Sequence, residues 1–441
     1  MTETTSPGQS GIAEKDLQQV QQFLLDLGSA LTASGEAVNL IEDHLHHLAA
    51  VYGTPQARVT VLPTYLAISM EPGHPVALES TRRLGGALRL DQTAAVFEVL
   101  KAAEGRRISP AEGSLRIHEI GRMAPRFRPT VSVLGHVVLT TGICLVLDPT
   151  WGDLVLAALF GALVGGLKLV ARQWSSIQMI LPVAAAFAVA AVTFLVVGQG
   201  WAQADLRVMV PPLVTFLPGA MLTMAVVEIS AAELVSGASR LVAGALQLLL
   251  LTFGIIGAAH VVGLPSPDRL AASAGPEVGW WAPWLGVLII AIGDYLHHSA
   301  PRGAFPWLCL VLYIAWIGQF LGDQVFGGYL SGFIGALVMT PVAYLVERRP
   351  SGPPALVSFM PAFWLLVPGA LSVMGVTKYL GRGDPAGAQE FISAVGSMIA
   401  VALGVLCGYP LYRALARGLA TLARRRFAAS PKPGRAAHRS S

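Results

Sequence analysis

The chain has few charged residues for its length. Only 13% of its 441 residues are charged, whereas an ordinary soluble domain carries about a quarter. Hydrophobic residues make up 54%, so most of the chain needs a solvent other than water. The composition therefore predicts a polytopic α-helical membrane protein whose surroundings are a lipid bilayer.

Cysteines are also few, and each of the three lies inside an apolar run: Cys144, Cys309 and Cys407. That placement shows no disulfide or metal-ligand spacing, so we expect small apolar packing residues and neither a metal nor a cofactor. The net charge of +4 comes largely from the arginine-rich carboxyl end. This distribution suits a membrane surface and argues against nucleic acid as a partner. The first 22 residues are polar and lead into no cleavage site, so we expect no signal peptide.

The amino-terminal part has the pattern of a soluble α+β domain. Apolar residues recur at helical spacing over 17–31 and 38–48. Two short β-like runs follow, at 58–62 and 65–70. Residues 1–128 are predicted to form a cytoplasmic soluble domain, with no spacing typical of a catalytic or metal site.

Beyond this domain the apolar runs approach the roughly 20 residues that cross a bilayer core. The sequence predicts about ten spans, grouped into a first five-span module at 129–264 and a second at 280–420, with a basic disordered tail at 421–441. The sixth and seventh spans are short, and 294–302 between them could equally be a re-entrant segment. The predicted spans lie near 131–147, 153–171, 177–198, 208–227, 239–263, 282–296, 304–320, 326–346, 355–376 and 390–412.

Lysine and arginine in the short loops predict the orientation. With the amino-terminus in the cytoplasm, the inner ends hold most of the basic residues. The outer ends then hold only Arg207, Arg269, Lys378 and Arg382. Both termini are therefore expected on the cytoplasmic side.

Two Pro-Gly sequences interrupt predicted spans in matching surroundings. FLPGAM occupies 216–221 in the fourth span and LVPGAL occupies 366–371 in the ninth, while Glu233-Leu-Val-Ser is echoed by Glu390-Phe-Ile-Ser. The copies lie five spans apart, and because five is odd, corresponding helices must cross in opposite directions. The pattern predicts two inverted five-helix repeats. Broken helices at that depth are tolerated where they line a cavity, although two ordinary proline kinks are the alternative.

Charged residues near the breaks are candidates for the transport pathway. Glu228 and Glu233 follow the first break and are interior ligands, proton carriers or residues of the cytoplasmic interface. Lys378 follows Pro368 at the spacing at which Glu228 follows Pro218, and either neutralises a carboxylate or extends to the outer surface. Weaker candidates are His136 and His260, which lie within predicted spans, and the Asp294/His298 pair. The predicted substrate and ion pathway comprises Pro218, Gly219, Glu228, Glu233, Pro368, Gly369 and Lys378.

Taken together, these segments resemble the threonine/serine exporter family of bacterial secondary transporters. The resemblance rests on the sequences LGSALTASGE at 27–36, VTVLPT at 59–64, LPGA at 217–220 followed by Glu228 and SGASRL, and LVPGA at 366–370. It implies a fused two-module exporter in the bacterial plasma membrane, driven by the proton motive force, with a small amino acid or a dicarboxylate as substrate. The predicted sixth to eighth spans show no distinctive family pattern.

Two other classes of function remain open. A channel is compatible with the sequence. An integral-membrane enzyme is less so, because the chain has no HExxH, GxSxG or GxGD motif and AIGD at 291–294 misses the last by one glycine. We therefore expect no enzyme activity. The Gly-xxx-Gly sequences at 161–165 and 328–332 are compatible with a homo-oligomer as well as with a monomer.

Overall fold

The amino-terminal part combines four helices with a small antiparallel sheet. The computed structural model describes residues 14–71, 75–81, 87–199, 206–263, 277–366, 369–382 and 385–428. The first elements are α1 (Glu14–Ser34), α2 (Val38–Val51), β1 (Arg58–Val61), β2 (Tyr65–Ser69), β3 (Ala77–Ser80), α3 (Leu90–Glu104) and α4 (Pro110–Gly121). The strands pair in the order β1-β2-β3. The sequence predicts β1 and β2, whereas β3 is additional.

Alternation of apolar residues fixes which face of the sheet meets the helices. Val59, Val61, Leu66 and Ile68 are all buried, while the residues between them are more exposed. Side chains alternate across a strand, so these four share one face. Helix α1 runs so close to β2 that a Cβ added at Gly28 would overlap the Leu66 side chain.

The rest of the chain is a bundle of apolar helices. Its elements are α5 (Pro129–Val146), α6 (Trp151–Ala171), α7 (Ser175–Gly198), a 3₁₀ turn (Leu206–Met209), α8 (Val210–Leu213), a second 3₁₀ turn (Val214–Phe216), α9 (Gly219–Ser230), α10 (Leu234–Val262), α11 (Ala282–His297), α12 (Phe305–Phe326), α13 (Gly328–Glu347), α14 (Ala355–Leu366), α15 (Gly369–Arg382) and α16 (Pro385–Ala428).

The bundle confirms a polytopic helical membrane protein. Among the described residues seven helices are long and apolar enough to cross a bilayer, and the bent pair 210–216 and 219–230 would make an eighth span. Helices α11 and α14 are apolar but shorter. Each predicted span lies on one helix or on a run of consecutive elements, and the number ten stays a prediction. Helix α16 extends to Ala428, past the predicted start of the tail, and residues 429–441 lie outside the described part.

Helices α5 and α11 cross at glycines. A Cβ at Gly142 would lie 2.7 Å from the backbone nitrogen of Ile290, and one at Gly135 would lie 2.6 Å from the backbone nitrogen of His297. The earlier part of α5 therefore meets the later part of α11, so the two helices are antiparallel. No side chain fits between their backbones at these points.

Two other helix pairs pack in the same way at matching positions. A Cβ added at Gly254 of α10 would lie 2.5 Å from the carbonyl oxygen of Val183 on α7. One added at Gly404 of α16 would lie 2.5 Å from the carbonyl oxygen of Phe333 on α13. Both members of the second pair lie 150 residues after those of the first. The α7–α10 and α13–α16 contacts thus use one packing arrangement twice.

The amino-terminal part, predicted from the sequence to be a soluble domain and called by that name below, lies against one end of this bundle. Helix α13 ends there, where the Glu347 carboxylate lies 3.7 Å from Lys101 Nζ of α3. Helix α16 runs parallel to α13, because Phe333 contacts α16 at Gly404 and the later Tyr344 stacks on Tyr412 at 5.2 Å between ring centroids. Helix α16 therefore begins at the far end of the bundle and runs towards the soluble domain.

Candidate functional site

A helix break lies at the first Pro-Gly sequence. The 3₁₀ turn ends at Phe216, α9 begins at Gly219, and the two segments differ in direction by 46°. Pro218 supplies no N–H group and is buried at this junction. At the second Pro-Gly sequence, α14 ends at Leu366 and α15 begins at Gly369. Pro368 lies outside the described residues.

A half-buried cation lies beside the first break. Lys168 of α6 donates a hydrogen bond from Nζ to Thr215 Oγ1 over 2.7 Å. The same nitrogen lies 3.1 Å from His297 Nε2 and 5.2 Å from the centroid of the Phe216 ring. Helices α6 and α11 and the turn before the break thus converge on one ammonium group.

Histidines extend this group across the bundle. Nδ1 of His297 lies 2.8 Å from the carbonyl oxygen of Ser132. That oxygen can only accept, so Nδ1 carries the proton and Nε2 accepts from Lys168. His136 is fully buried, its ring lies 4.8 Å from the His297 ring, and its Nε2 donates to the carbonyl oxygen of Pro212 over 3.1 Å.

An acidic residue completes the group. Asp294 Oδ1 lies 2.9 Å from Nδ1 of His298, whose ring is 4.6 Å from that of His297. Asp294 Oδ2 and His136 Nδ1 are buried and have no hydrogen-bond partner among the described residues. We call these six residues the Lys168 cluster: His136, Lys168, Thr215, Asp294, His297 and His298.

The Lys168 cluster combines chemistry that is expensive to bury in a membrane protein. A cation, an acid with a free oxygen and three imidazoles lie within or at the ends of apolar helices, where such groups commonly mark substrate or proton pathways. The ammonium group can hold a carboxylate, the free Asp294 oxygen can hold an amine, and the imidazoles can pass protons. No group of three residues suited to a metal ion occurs in the part of the chain that the structure describes.

Most residues predicted for the pathway lie elsewhere. Glu228 is fully buried at the end of α9, where Oε2 lies 2.9 Å from Arg240 Nε as an ion pair and Oε1 accepts a hydrogen bond from the Val38 N–H over 3.2 Å. Glu233 is half-buried immediately before α10. Lys378 forms an ion pair with Glu390. Of the seven predicted residues, Pro218 and Gly219 lie nearest in the chain to the Lys168 cluster.

A cavity of about 940 Å³ lies between the soluble domain and the bundle. Both signs of charge and several aromatic rings line it, including Glu36, Lys101, Arg302, Tyr344, Glu347 and Tyr409. Burial raises the pKa of Glu36 to about 7. The protein therefore carries a carboxyl group that titrates near neutral pH at the junction of its two parts.

Comparison with known proteins agrees with this architecture. Two curated relatives, both "Pheromone-regulated membrane protein 10" from Candida albicans strains WO-1 and SC5314, are each 22% identical over 375 residues. The alignment covers 81% of this chain but only 33% of each relative, so the chain spans a third of the length of the relatives it matches. No solved structure matches the chain. A family model described as "Putative threonine/serine exporter" matches residues 22–262, from α1 to the last residue of α10. The chain therefore belongs to the threonine/serine exporter family.

Proposed function

We propose that the protein exports small amino acids similar to threonine and serine across a bacterial plasma membrane, coupled to the proton motive force. Membership of the exporter family supports the class of substrate. The observation that carries the mechanism is the repeated helix packing at Gly254 and Gly404. Repeated packing units that face opposite ways are typical of alternating-access carriers.

Helix directions support an inverted repeat. Helix α10 begins near the soluble domain, where the Arg240 guanidinium donates to the carbonyl oxygen of Glu36 over 3.2 Å. Its counterpart α16 runs towards the soluble domain instead. Helices α5 and α11 are antiparallel, and a two-fold axis that exchanges antiparallel helices lies perpendicular to them. We infer a pseudo-two-fold axis in the membrane plane and ten spans in two five-helix repeats, with both termini in the cytoplasm.

The contacts of the α5–α11 crossing fit this axis. A Cβ at Gly286 would lie 3.0 Å from Leu145 Cβ, and one at Gly135 would lie 2.8 Å from Leu296 Cβ. The two contacts involve equivalent residues. Gly286 lies 151 residues after Gly135, and Leu296 lies 151 residues after Leu145. Exchanging α5 with α11 therefore converts one glycine–leucine contact into the other, as a two-fold axis between the helices requires.

We place substrate and proton handling at the Lys168 cluster and the adjoining Pro218–Gly219 break. A zwitterionic amino acid needs an acceptor for its amine and a donor for its carboxylate, and within the cluster Asp294 Oδ2 and Lys168 Nζ are the groups suited to these roles. Domain boundaries near 128 and 264, and pathway roles for Glu233 and the second break at 368–369, belong to the same proposal.

Flux measurements in proteoliposomes test the proposal. With an imposed pH gradient, threonine and serine should show saturable flux that an uncoupler abolishes. The panel should include dicarboxylates, and the control is Lys168→Met in matched vesicles. Flux of dicarboxylates alone would change the substrate, non-saturating flux would indicate a channel, and conversion of a panel compound would indicate an enzyme.

A further inference from the structure

Two ion pairs occupy corresponding places in the two halves of the bundle. Glu228 and Arg240 join α9 to α10, and their closest atoms lie 2.9 Å apart. Lys378 and Glu390 join α15 to α16. Each member of the second pair lies 150 residues after its counterpart, the spacing found for the packing glycines. The acid Glu228 lies on α9, the first helix of its pair, whereas Glu390 lies on α16, the second helix of its pair. The positions of the two charges are therefore exchanged between the halves.

The helices that carry these ion pairs are themselves packed alike. A Cβ at Gly237 of α10 would lie 2.7 Å from the carbonyl oxygen of Ala225 on α9. A Cβ at Gly375 of α15 would lie 2.7 Å from the carbonyl oxygen of Gly387 on α16. Ala225 corresponds to Gly375 and Gly237 to Gly387 at the same 150-residue spacing. We call α9–α10 and α15–α16 the two hairpins.

The hairpins contact each other, and their ion pairs lie at opposite ends of the bundle. Helix α9 packs on α16, and α10 packs on α15. The Glu228 pair touches the soluble domain, whereas Glu390 lies in the second turn of α16, at the far end. Each ion pair therefore ties the two helices of its hairpin together at a different end of one four-helix group.

Among the described residues, the first hairpin alone is bonded to the soluble domain through its ion pair. The Val38 N–H donates to Glu228 Oε1 over 3.2 Å, and Arg240 donates to the carbonyl oxygen of Glu36 over 3.2 Å. Val38 is the first residue of α2, so its N–H has no partner within the helix. A buried carboxylate at this position is also stabilised by the helix dipole. Both members of the ion pair are thus held by backbone groups of the soluble domain that lie two residues apart, at Glu36 and Val38.

We propose that Glu228–Arg240 is the lock at the cytoplasmic end of the transport path, that Lys378–Glu390 is the lock at the outer end, and that the soluble domain holds the cytoplasmic lock through Val38. The proposal rests on the proposed function, because alternating access requires one end to open while the other stays closed. For the first hairpin to move outwards, the Val38 and Glu36 contacts must break. These residues position the hairpin and need not touch the substrate.

A pair of substitutions at Val38 isolates the backbone contact. Val38→Pro removes the N–H donor, and the site accepts proline because it is the first helical position and Ala37 before it is extended, with φ −69° and ψ 139°. Val38→Ala keeps the donor and trims the side chain, so it is the matched control. Any effect of Val38→Pro beyond that of Val38→Ala reports the bond to Glu228.

Thiol labelling measures how often the cytoplasmic lock opens, and it does not depend on transport. Ser236 is fully buried one turn before Arg240, and Ser236→Cys is placed in a chain whose three native cysteines are replaced by serine. With a membrane-impermeant thiol reagent on the cytoplasmic side, Val38→Pro should raise the labelling rate about tenfold, the size expected for losing a hydrogen bond to a charged group. Val38→Ala should stay near the parent rate. Equal rates for the two variants would overturn the proposal.

Exchanging the charges distinguishes the Val38–Glu228 hydrogen bond from the ion pair. E228K with R240E restores an ion pair in the order of the second hairpin but leaves Val38 without an acceptor, so it should label like Val38→Pro. K378E with E390K should leave Ser236→Cys labelling at the parent rate, and a rise there would contradict the assignment of the two ends. Monodisperse elution in detergent excludes variants that fail to fold. If the parent chain carries no amino-acid flux while the labelling pattern holds, the proposed function fails and the lock stands.

Discussion

Gly254 and Gly404 occupy equivalent places in two helix pairs, although 150 residues separate them in the chain. At each, the space for a Cβ is filled by a carbonyl oxygen of the neighbouring helix, 2.5 Å away, with an alanine Cβ next, at 2.9 Å for Ala186 and 2.7 Å for Ala336. Backbones this close leave no room for a side chain, and carbonyls in a packed helix move little. Small residues at such crossings are how helices associate in lipid.

Alanine at either glycine should therefore destabilise the bundle. We expect Gly254→Ala and Gly404→Ala each to cost about 1–3 kcal/mol, because an extra methyl group in a tight core forces the backbones apart. Thermal unfolding in detergent measures the loss. Gly257→Ala is the control on the same helix, since its nearest neighbour would lie 3.7 Å away. Equal losses at 254 and 257 would contradict this account of the packing.

Replacing the Lys168 ammonium group should impair transport without unfolding the protein. Lys168→Met keeps the length and removes the charge that Thr215 and His297 solvate. We expect proton-driven flux to fall at least about tenfold, the order of one lost charge-assisted hydrogen bond. Proteoliposome flux measures this, with the half-exposed Lys101→Met as control. A Lys168→Met protein that transports at the parent rate would remove the Lys168 cluster from the pathway.

Asp294 separates proton coupling from substrate binding. Asp294→Asn keeps an oxygen for the 2.9 Å contact with His298 but cannot ionise. If the acid carries protons, flux driven by a pH gradient should fall while exchange of substrate for substrate continues. If instead it binds the substrate amine, both modes should weaken together. Counterflow and pH-jump assays on the same vesicles distinguish the two, and unchanged rates in both would exclude either role.

The Glu36 carboxyl group should make stability depend on pH. Burial raises its pKa from an ordinary 4.5 to about 7, so between these values the folded state binds more protons than the unfolded state. Stability should then be fully present below about pH 4.5 and should fall as the pH rises to about 7, by at most about 3 kcal/mol. Glu36→Gln should flatten this slope. Unfolding midpoints of the full chain in detergent from pH 5 to 8 measure it, and an unchanged slope in the variant would assign the effect to another group.

Orientation can be tested at two loops. Asp148 lies between α5 and α6, and Arg348 directly follows α13. With a cytoplasmic amino-terminus, cysteine at position 148 should react with an impermeant reagent from outside intact cells, and cysteine at 348 only after lysis. Labelling at 348 from outside would reverse the proposed topology.

Much of the fold is readable from the sequence because a bilayer imposes length. The predicted bounds of the first three spans agree with α5, α6 and α7 to within two residues, since an apolar run of about 20 residues can do little else. The break after Phe216 is also visible, because Pro-Gly disfavours a helix at any depth. The strand β3 is not recognisable from the sequence, because its four residues ALES include no β-branched or aromatic side chain.

The Lys168 cluster lies beyond such reasoning. Its members come from α5, α6, α11 and the turn before the break, and no spacing in the chain announces that four elements converge. Two signals are present, since the Asp294/His298 pair is a weaker candidate and Lys168 is a cation within an apolar helix. Taken by itself, Lys168 is grouped with the basic residues that mark the cytoplasmic ends of the spans. Glu228 is the opposite example. The sequence marks it as a pathway candidate, but its partner Val38 lies 190 positions earlier in another domain.

The attachment of the soluble domain to one hairpin has an energetic consequence. Two identical repeats related by a two-fold axis would give inward-open and outward-open states of equal free energy, each half-populated. Bonds that form in one of these states alone lower its free energy, and each 1.4 kcal/mol shifts the ratio of populations tenfold. The resting population of the carrier would then be set by a domain that lies outside the membrane.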